Sequence, residues 1–409
     1  MKNKTAPTGY DVEFHGNRTQ YAQKSFKKNF DKGIIGPEDE DIIKEFVNDV
    51  RAYKNISVVR QNKLTSHLIN WRRYIGPFKE NTIRDLVAGI NLLKDARSER
   101  TGQKFKKNTY RDYISILKQF YFWLTEKGYT EITEREIKKI KSLPKDRSTK
   151  KPTSFFSPKE ISDFIDACLT VKDKAMFLMM YEAGLRPGEI ASLTWDKVTI
   201  DKSGVVLNIE FKTNKPRYIR IVMVKSYLSQ WKDLYPYVPS GNNLVFLNRL
   251  NKPYIHNTMS MQFRKILARA DISKHVTLYA FRHSRITHLV REGLNESVIK
   301  LMMWGDVNAE EFKTYVHLTG QDIDNIYISH YGIEVPAELK EPGLVPVECL
   351  QCHFIASSTS KYCPECGYPL DPDLLNDYLA KKDVIAQDGD ILEAKVQEMV
   401  KKILKKEVH

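Results

Sequence analysis

Apolar residues recur every three or four positions along most of the chain, a spacing typical of helices with one buried face. In the first third of the chain this spacing predicts a small helical domain from 37 to 137. Its best-marked helix begins at Asn108, a residue type that caps helices, and stops at Gly128. The predicted helices are Asp41–Tyr53, Ser57–Ile75, Asn81–Asp95 and Asn108–Lys127.

A second domain, from 154 to 335, combines helical spacing with a short β segment. It opens at Ser157, where a serine cap, a proline at the first helical position and a glutamate three residues after the cap indicate a helix start. Two β-rich runs, Val205–Glu210 and Arg217–Val224, flank Phe211–Pro216 and predict an antiparallel hairpin. The fold class is therefore mainly α with a small antiparallel β-sheet. Further predicted helices are Asn257–Ala270, Leu278–Glu292, Glu296–Met303 and Ala309–His317.

Three flanking segments differ from both domains. Residues 1–36 are basic and lack a sustained helical period, which predicts a partly disordered N-terminal arm. Residues 138–153 read as a basic linker, either a solvated hinge or a segment that crosses a phosphate backbone. Residues 371–409 contain a predicted amphipathic helix at Leu392–Lys406, which packs on its own domain or docks on a neighbouring protomer.

Composition narrows the possible partners. The 409 residues include 65 Lys plus Arg and 51 Asp plus Glu, so the net charge is +14 and favours nucleic acid or an anionic membrane surface. The longest apolar run, Ala175–Tyr181, is far shorter than the roughly 20 residues of a membrane span, so we expect no membrane partner. The first residues lack the apolar stretch of a secretory signal. We therefore expect a cytoplasmic, nucleoid-associated protein with reduced or metal-bound cysteines.

Four of the five cysteines form two Cys-x-x-Cys pairs between 346 and 370. Four thiolates at this spacing can surround a tetrahedral zinc ion at about 2.3 Å, which predicts a structural zinc ribbon. A disulfide framework is the alternative, and the absence of a predicted secretory signal disfavours it. The fifth, Cys168, has no partner nearby and is predicted to be a buried small hydrophobic residue. The predicted ligands are Cys349, Cys352, Cys363 and Cys366.

Three separated segments carry residue types that can act on a phosphodiester. Arg186 stands at a turn between two helical runs with Glu189 three residues later, Arg282 and His283 follow far downstream, and Tyr315 lies in Phe-Lys-Thr-Tyr-Val-His-Leu. These segments resemble the tyrosine recombinases of the phage integrase type, whose signatures read Gly-Leu-Arg with a later Glu, and His-x-x-Arg-His. The stretch Phe-Arg-His-Ser-Arg, together with cysteine pairs after the tyrosine, is most similar to archaeal members with a C-terminal zinc ribbon.

The resemblance implies roles for the arginines and the tyrosine. Arg186 and Arg282 match the two family arginines that hold the scissile phosphate, and a planar guanidinium can donate two parallel hydrogen bonds to its oxygens. Tyr315 matches the nucleophile, with Tyr327 and Tyr331 as nearby alternatives. The phosphotyrosine that forms retains the energy of the broken diester, so no ATP is needed.

The resemblance also implies an acid for the leaving group. Lys212, in the predicted hairpin, matches the lysine that protonates the departing 5′ oxygen, and Lys215 is the competing candidate. A positioned ammonium that donates this proton lowers the barrier. A plain phosphate contact is the simpler role for either lysine.

Two positions depart from the family pattern. Tyr279 stands where the family usually has histidine, three residues before the second arginine, so His283 is the remaining imidazole. The third element is Met-Trp-Gly-Asp rather than Gly-His or Gly-Trp. Trp304 is the candidate for an indole N–H contact to phosphate, with Asp306 as the register alternative, and a core tryptophan is the simpler reading.

For the whole chain the resemblance implies a site-specific DNA recombinase or integrase that cleaves and rejoins strands through a 3′-phosphotyrosine intermediate. It implies a helical core-binding domain and a mixed catalytic domain around double-stranded DNA, assembly as a homotetramer, structural Zn²⁺ and no cofactor for catalysis. The rival hypothesis is a non-catalytic DNA-binding protein with this fold, which Tyr279 and the altered third element support. Relaxation of supercoils, as in type IB topoisomerases, is disfavoured by the separate helical domain and the integrase-like motif register.

Overall fold

The structure, a computed structural model, divides the chain into two compact units. The helical unit comprises His15–Lys150, and the mixed unit comprises Met1–Phe14 together with Lys151–His409. None of the described helices is long and apolar enough to cross a membrane. The described residues are 6–15, 20–99, 101–144, 146, 155–210, 216–315, 327–328, 330–332 and 344–381.

Six helices of the helical unit surround a core of aromatic and aliphatic side chains. Phe46 packs edge-to-face on Phe120, and both are fully buried. The predicted capping by Asn108 is wrong: the helix begins one residue earlier, and the amide side chain of Asn108 instead exchanges two 2.9 Å hydrogen bonds with the backbone of Asp146. The helices are α1 (Tyr21–Phe30), α2 (Pro37–Lys54), α3 (Val58–Trp71), α4 (Ile83–Asp95), α5 (Lys107–Glu126) and α6 (Glu134–Lys139).

The structure differs from the predicted N-terminal arm. Helix α1 lies within residues 1–36 and buries Phe26 in the core of the helical unit, with Ala22 packed against the same core. Burial of a large aromatic side chain favours docking of the helix. Residues 6–14 belong to the mixed unit, where the N–H of Leu244 donates to the carbonyl of Pro7 at 2.9 Å. Backbone hydrogen bonds of this kind leave no hydrophobic signature in the sequence.

The described part of the mixed unit contains helices α7 to α13 and a three-stranded antiparallel sheet of order β1-β2-β3. The predicted hairpin is confirmed by the pairing of β2 with β3, while β1 was not predicted. The apolar run Ala175–Tyr181 lies in α8, which is buried on all sides. The elements are α7 (Pro158–Asp166), α8 (Val171–Glu182), α9 (Pro187–Ala191), β1 (Val198–Asp201), β2 (Gly204–Ile209), β3 (Arg217–Ile221), α10 (Lys225–Asp233), α11 (His256–Arg269), α12 (Tyr279–Arg291) and α13 (Glu296–Trp304).

The C-terminal part of the mixed unit is only partly described. Within the predicted helix Ala309–His317 the structure has a 3₁₀ turn, Glu310–Thr314, that ends at Tyr315. Strands β4 (Val347–Glu348) and β5 (Ile355–Ala356) form a small antiparallel ladder, and residues 372–381 are helical. The predicted helix Leu392–Lys406 lies outside the described residues.

Candidate active site and candidate metal centre

A tight turn between α8 and α9 positions the first arginine. Gly184 has φ +58°, and a Cβ at this position would come within 2.4 Å of the Met303 sulfur, so the backbone here approaches α13 closely. Pro187 then starts α9 with Arg186 as its N-cap residue. The turn therefore presents Arg186 beside the C-terminal end of α13.

Glu189 holds the guanidinium of Arg186 in place. Its carboxylate accepts the backbone N–H of Arg186 at 2.8 Å and the Nη1 of the same residue at 2.7 Å. The oxygen that accepts the backbone N–H of Arg186 also forms a 2.6 Å ion pair with Arg217 of β3. Burial opposes the charge on Glu189, but Arg217 and Arg186 outweigh it, so its pKa is lowered.

Arg282, on α12, is almost completely buried beside this pair. Its Nη1 donates to the carbonyl of Gly184 at 2.6 Å and its Nη2 to the carbonyl of Met303 at 2.5 Å, while its guanidinium carbon lies 5.1 Å from the centre of the Trp304 ring. Burial, and then the positive charges of the two other arginines, lower the pKa of Arg282 to about 9, which leaves it charged at neutral pH.

Tyr315 faces both an imidazole and the arginines. Its hydroxyl oxygen lies 2.5 Å from Nδ1 of His283, and its ring centre lies 6.0 Å from that of Trp304. Burial raises the pKa of Tyr315 to about 12, although the charges of Arg282 and Arg186 act in the opposite direction. The phenol is therefore protonated in the free protein. To act as a nucleophile it would need a base that takes its proton and positive charge that stabilises the phenolate.

The structure brings five of the six predicted catalytic residues together. These are Arg186, Arg282, His283, Trp304 and Tyr315. The sixth, Lys212, lies outside the described residues, as does its alternative Lys215.

The alternatives to these residues occupy other environments. Tyr327 and Tyr331 are each 63% exposed, and their hydroxyl groups lie 3.4 Å from one another. Tyr279, which stands at the position where the family pattern has histidine, stacks on the ring of His283 with 6.4 Å between the ring centres. It therefore lies beside the site. Asp306 accepts the backbone N–H of Asn308 at 3.0 Å in the turn after α13.

Sequence reasoning missed Arg217. Arg217, Ile219 and Ile221 occupy every second position of β3, and all three side chains are buried on one face of the sheet. When a charged residue stands at one of the alternate strand positions that otherwise carry buried apolar residues, a buried ion pair is indicated. The sequence contained this signal.

The four predicted metal ligands converge in the C-terminal segment. Their sulfur atoms all lie within 4.8 Å of one another, with Cys349 3.6 Å from Cys366 and Cys352 3.5 Å from Cys363. A tetrahedral ion with Zn–S distances of about 2.3 Å places its sulfur ligands roughly 3.8 Å apart, so this cluster fits such an ion. The four close cysteines could therefore bind a metal.

The segment that carries these cysteines packs on the mixed unit. The hydroxyl groups of Thr359 and Tyr227 lie 3.1 Å apart, and the ammonium of Lys225 lies 5.0 Å from the centre of the Phe354 ring. Both contacts reach the first turns of α10, directly after the sheet that carries Arg217. The cluster is thus attached to the unit that contains the candidate active site.

Comparison with known proteins places the chain in a family. The phage integrase family matches residues 154–322. Transposase A from transposon Tn554 of Staphylococcus aureus is 31% identical over 290 residues, which cover 64% of this chain and 76% of the transposase. Tyrosine recombinase XerC of Rickettsia canadensis (strain McKiel) is 24% identical over 310 residues, which cover 71% of this chain and 98% of XerC.

Two solved structures share the fold. The XerH site-specific recombinase bound to palindromic difH substrate matches with a TM-score of 0.54 and 15% identity, covering 78% of this chain and 91% of that chain. The lambda integrase bound to DNA matches with a TM-score of 0.52 and 14% identity, covering 68% of this chain and 97% of that chain. The chain belongs to the phage integrase family and is a tyrosine site-specific recombinase.

Proposed function

We propose that this recombinase cleaves and rejoins DNA strands by two transesterifications in which Tyr315 is the nucleophile. Its phenol oxygen attacks the scissile phosphorus, a 3′-phosphotyrosine bond forms, and the bond to the 5′ oxygen breaks. A 5′ hydroxyl of another strand reverses the step and releases Tyr315. The position of the Tyr315 hydroxyl, 2.5 Å from an imidazole and within the field of two arginines, carries this proposal.

Arg186 and Arg282 are proposed to hold the non-bridging oxygens of the phosphate. The charge on these oxygens grows as the nucleophile attacks, and donors already fixed in place stabilise it without reorganisation. Arg282 is fixed by two backbone carbonyls and Arg186 by the Glu189 carboxylate. The Trp304 ring covers Arg282, and its indole N–H is proposed as a further phosphate donor.

Proton transfers are assigned to His283 and Lys212. In the tautomer with its proton on Nε2, His283 accepts the phenol proton of Tyr315 at Nδ1, over the 2.5 Å contact. Lys212 is proposed to protonate the departing 5′ oxygen, with Lys215 as the alternative.

Double-stranded DNA is the proposed substrate, and the net charge of +14 suits this polyanion. We propose that the helical unit and the basic linker at 138–153 contact the DNA backbone, that four copies assemble on two duplexes, and that the protein acts at the nucleoid. Two of the similar solved structures, XerH and the lambda integrase, are DNA complexes, which supports the choice of substrate.

Covalent capture on a nicked duplex tests the proposed function. The duplex is one that the protein itself selects from a random-sequence pool, and a nick next to the scissile phosphate lets the short 5′-hydroxyl fragment diffuse away so that rejoining fails. A protein–DNA band that survives denaturing electrophoresis is the expected result. Specific binding without any such band would favour the non-catalytic DNA-binding hypothesis.

The cysteine cluster is proposed to be a structural zinc ribbon of the kind found in archaeal members of the family. We expect one zinc ion per chain, and loss of this zinc in the double variant Cys363→Ser, Cys366→Ser, with local unfolding, because so short a segment has too few apolar side chains to order itself. Zinc is measured by mass spectrometry of the metal after desalting.

The matched control for the zinc prediction is Cys168→Ser. Cys168 is distant from the cluster in the sequence. It is buried, and its thiol donates to the carbonyl of Phe164 at 3.4 Å. This variant should retain the full zinc content. Unchanged zinc in the double variant would show that these cysteines are not the ligands.

A further inference from the structure

Among the described residues, Arg217 is the most deeply buried arginine or lysine outside the predicted catalytic set. Its side chain is 3% exposed and that of its partner Glu189 is 1% exposed, and the Arg217 Nη2 lies 2.6 Å from the carboxylate. Burying such a pair costs hydration free energy, so its presence calls for a reason beyond stability.

The partners of Arg217 are the same groups that hold the two phosphate-binding arginines. On one side it shares the Glu189 carboxylate with Arg186. On the other side its Nη1 donates to the carbonyl of Met303 at 3.0 Å, which also accepts from Arg282. Arg217 thus stands between both arginines, with one shared partner for each.

The second of these contacts lies at a helix end. The Nη1 of Arg217 also donates to the carbonyl of Met302 at 3.2 Å, and both carbonyls belong to the last turn of α13. Carbonyls of a last turn lack partners within the helix and carry partial negative charge, which favours a cation there. Trp304, the next residue, covers Arg282, so Arg217 also fixes the backbone from which this ring projects.

We propose that Arg217 is a positioning residue of the recombinase: it sets the spacing and orientation of Arg186 and Arg282 through Glu189 and the Met303 carbonyl, and it does not itself contact the phosphate. This inference rests on the proposed function of the two arginines. It separates Arg217 from Lys212, five residues earlier in the same predicted hairpin, whose proposed partner is the leaving oxygen.

The test compares Arg217→Lys with Arg72→Lys in the full-length protein. Loss of the charge would leave the buried Glu189 without this cation and endanger folding, so lysine is used. Lysine keeps the charge but cannot pair with the carboxylate and donate to both carbonyls at the same time. Arg72 is a matched control in the helical unit, because it also pairs with a buried carboxylate, Asp39, at 2.8 Å and donates to the carbonyl of Ile75 at 2.6 Å.

Each variant is measured for thermal unfolding, affinity for the nicked duplex and single-turnover rate of covalent attachment at saturating DNA. We expect Arg217→Lys to slow attachment about 10- to 100-fold with near wild-type affinity, since a small misplacement of catalytic groups has this effect. Arg72→Lys should lower the unfolding temperature as well but leave the attachment rate unchanged. An attachment rate for Arg217→Lys equal to that of the wild type would overturn the proposal.

A duplex with sulfur in place of the bridging 5′ oxygen distinguishes the two ends of the reaction. A thiolate leaves without needing a proton, so this substrate bypasses the leaving-group acid. We expect the defect of Arg217→Lys to persist on it. A defect that vanishes on the sulfur duplex would overturn the proposal and assign Arg217 to the support of Lys212.

Amide hydrogen exchange of the DNA-free protein gives a readout that needs no cleavage. Exchange should be faster in Arg217→Lys than in Arg72→Lys at residues 184–189 and 302–305, and equal exchange there would overturn the positioning role. A wild-type protein that forms no adduct would contradict the proposed function instead, and the exchange result would still decide whether Arg217 orders the arginines.

Discussion

Tyr315→Phe is expected to form no covalent adduct with the nicked duplex while it binds that duplex with wild-type affinity. The variant keeps the ring, which is 7% exposed and packed in a small apolar cluster, and removes only the oxygen that contacts His283. Such a hydrogen bond contributes about 1 kcal/mol to stability, so the fold should persist. Denaturing gels of labelled DNA measure the adduct, and native gel shifts measure binding.

The same experiment on Tyr327→Phe and Tyr331→Phe supplies the controls. Both side chains are well exposed and contact one another, so removal of either hydroxyl should leave attachment at the wild-type level. If Tyr315→Phe still formed the adduct and one of the other two variants did not, the tyrosine replaced in that variant would be the nucleophile.

Five residues that the resemblance to the family signatures singled out lie close together in the structure, and part of the reason is local. Arg186 follows a Gly-Leu turn, and Gly184 adopts φ +58° there, so short-range backbone chemistry fixes where this arginine points. Arg282 and His283 are neighbours on α12, a helix with clear apolar spacing. Residues placed by one turn or one helix can be predicted from the positions on either side of them.

What the sequence did not yield depends on contacts between distant segments. Arg217 and Glu189 are 28 positions apart in the sequence, and only the folded position of β3 beside α9 makes them partners. The pairing of residues near Pro7 with Leu244 likewise uses backbone groups, which every residue has. The spacing of apolar residues does not predict that the cysteine segment contacts α10. It also does not predict that the Asn108 side chain bonds to Asp146 instead of capping its helix.

The charge balance of the site explains why it suits a phosphodiester. Arg186 and Arg217 both pair with the carboxylate of Glu189, and the charges of all three groups act on the nearby Arg282. Burial, and then the charges of Arg186 and Arg217, lower the pKa of Arg282, and burial raises the pKa of Tyr315. The three arginines carry more positive charge than the Glu189 carboxylate balances. A phosphate anion that binds here would compensate this excess of positive charge.

The second large effect is therefore expected from the two arginines that we propose to bind the phosphate. Arg186→Lys and Arg282→Lys should each slow single-turnover attachment about 100-fold or more, because lysine keeps the charge but loses the fixed pair of parallel donors. Affinity for the duplex should change far less, since most of the binding free energy comes from other backbone contacts. Rapid-quench measurement at saturating protein separates the rate from the affinity.

Arg285→Lys is the matched control, because Arg285 lies on the same helix, α12, and is also largely buried. It contacts the Tyr181 ring at 5.4 Å and donates to the backbone carbonyl of Glu182 at 3.2 Å, so its replacement disturbs α12 without touching the proposed phosphate position. Attachment by this variant should proceed at close to the wild-type rate. If Arg285→Lys were as slow as Arg282→Lys, the loss would report general loosening of α12, and a wild-type rate in Arg186→Lys would remove that arginine from the phosphate clamp.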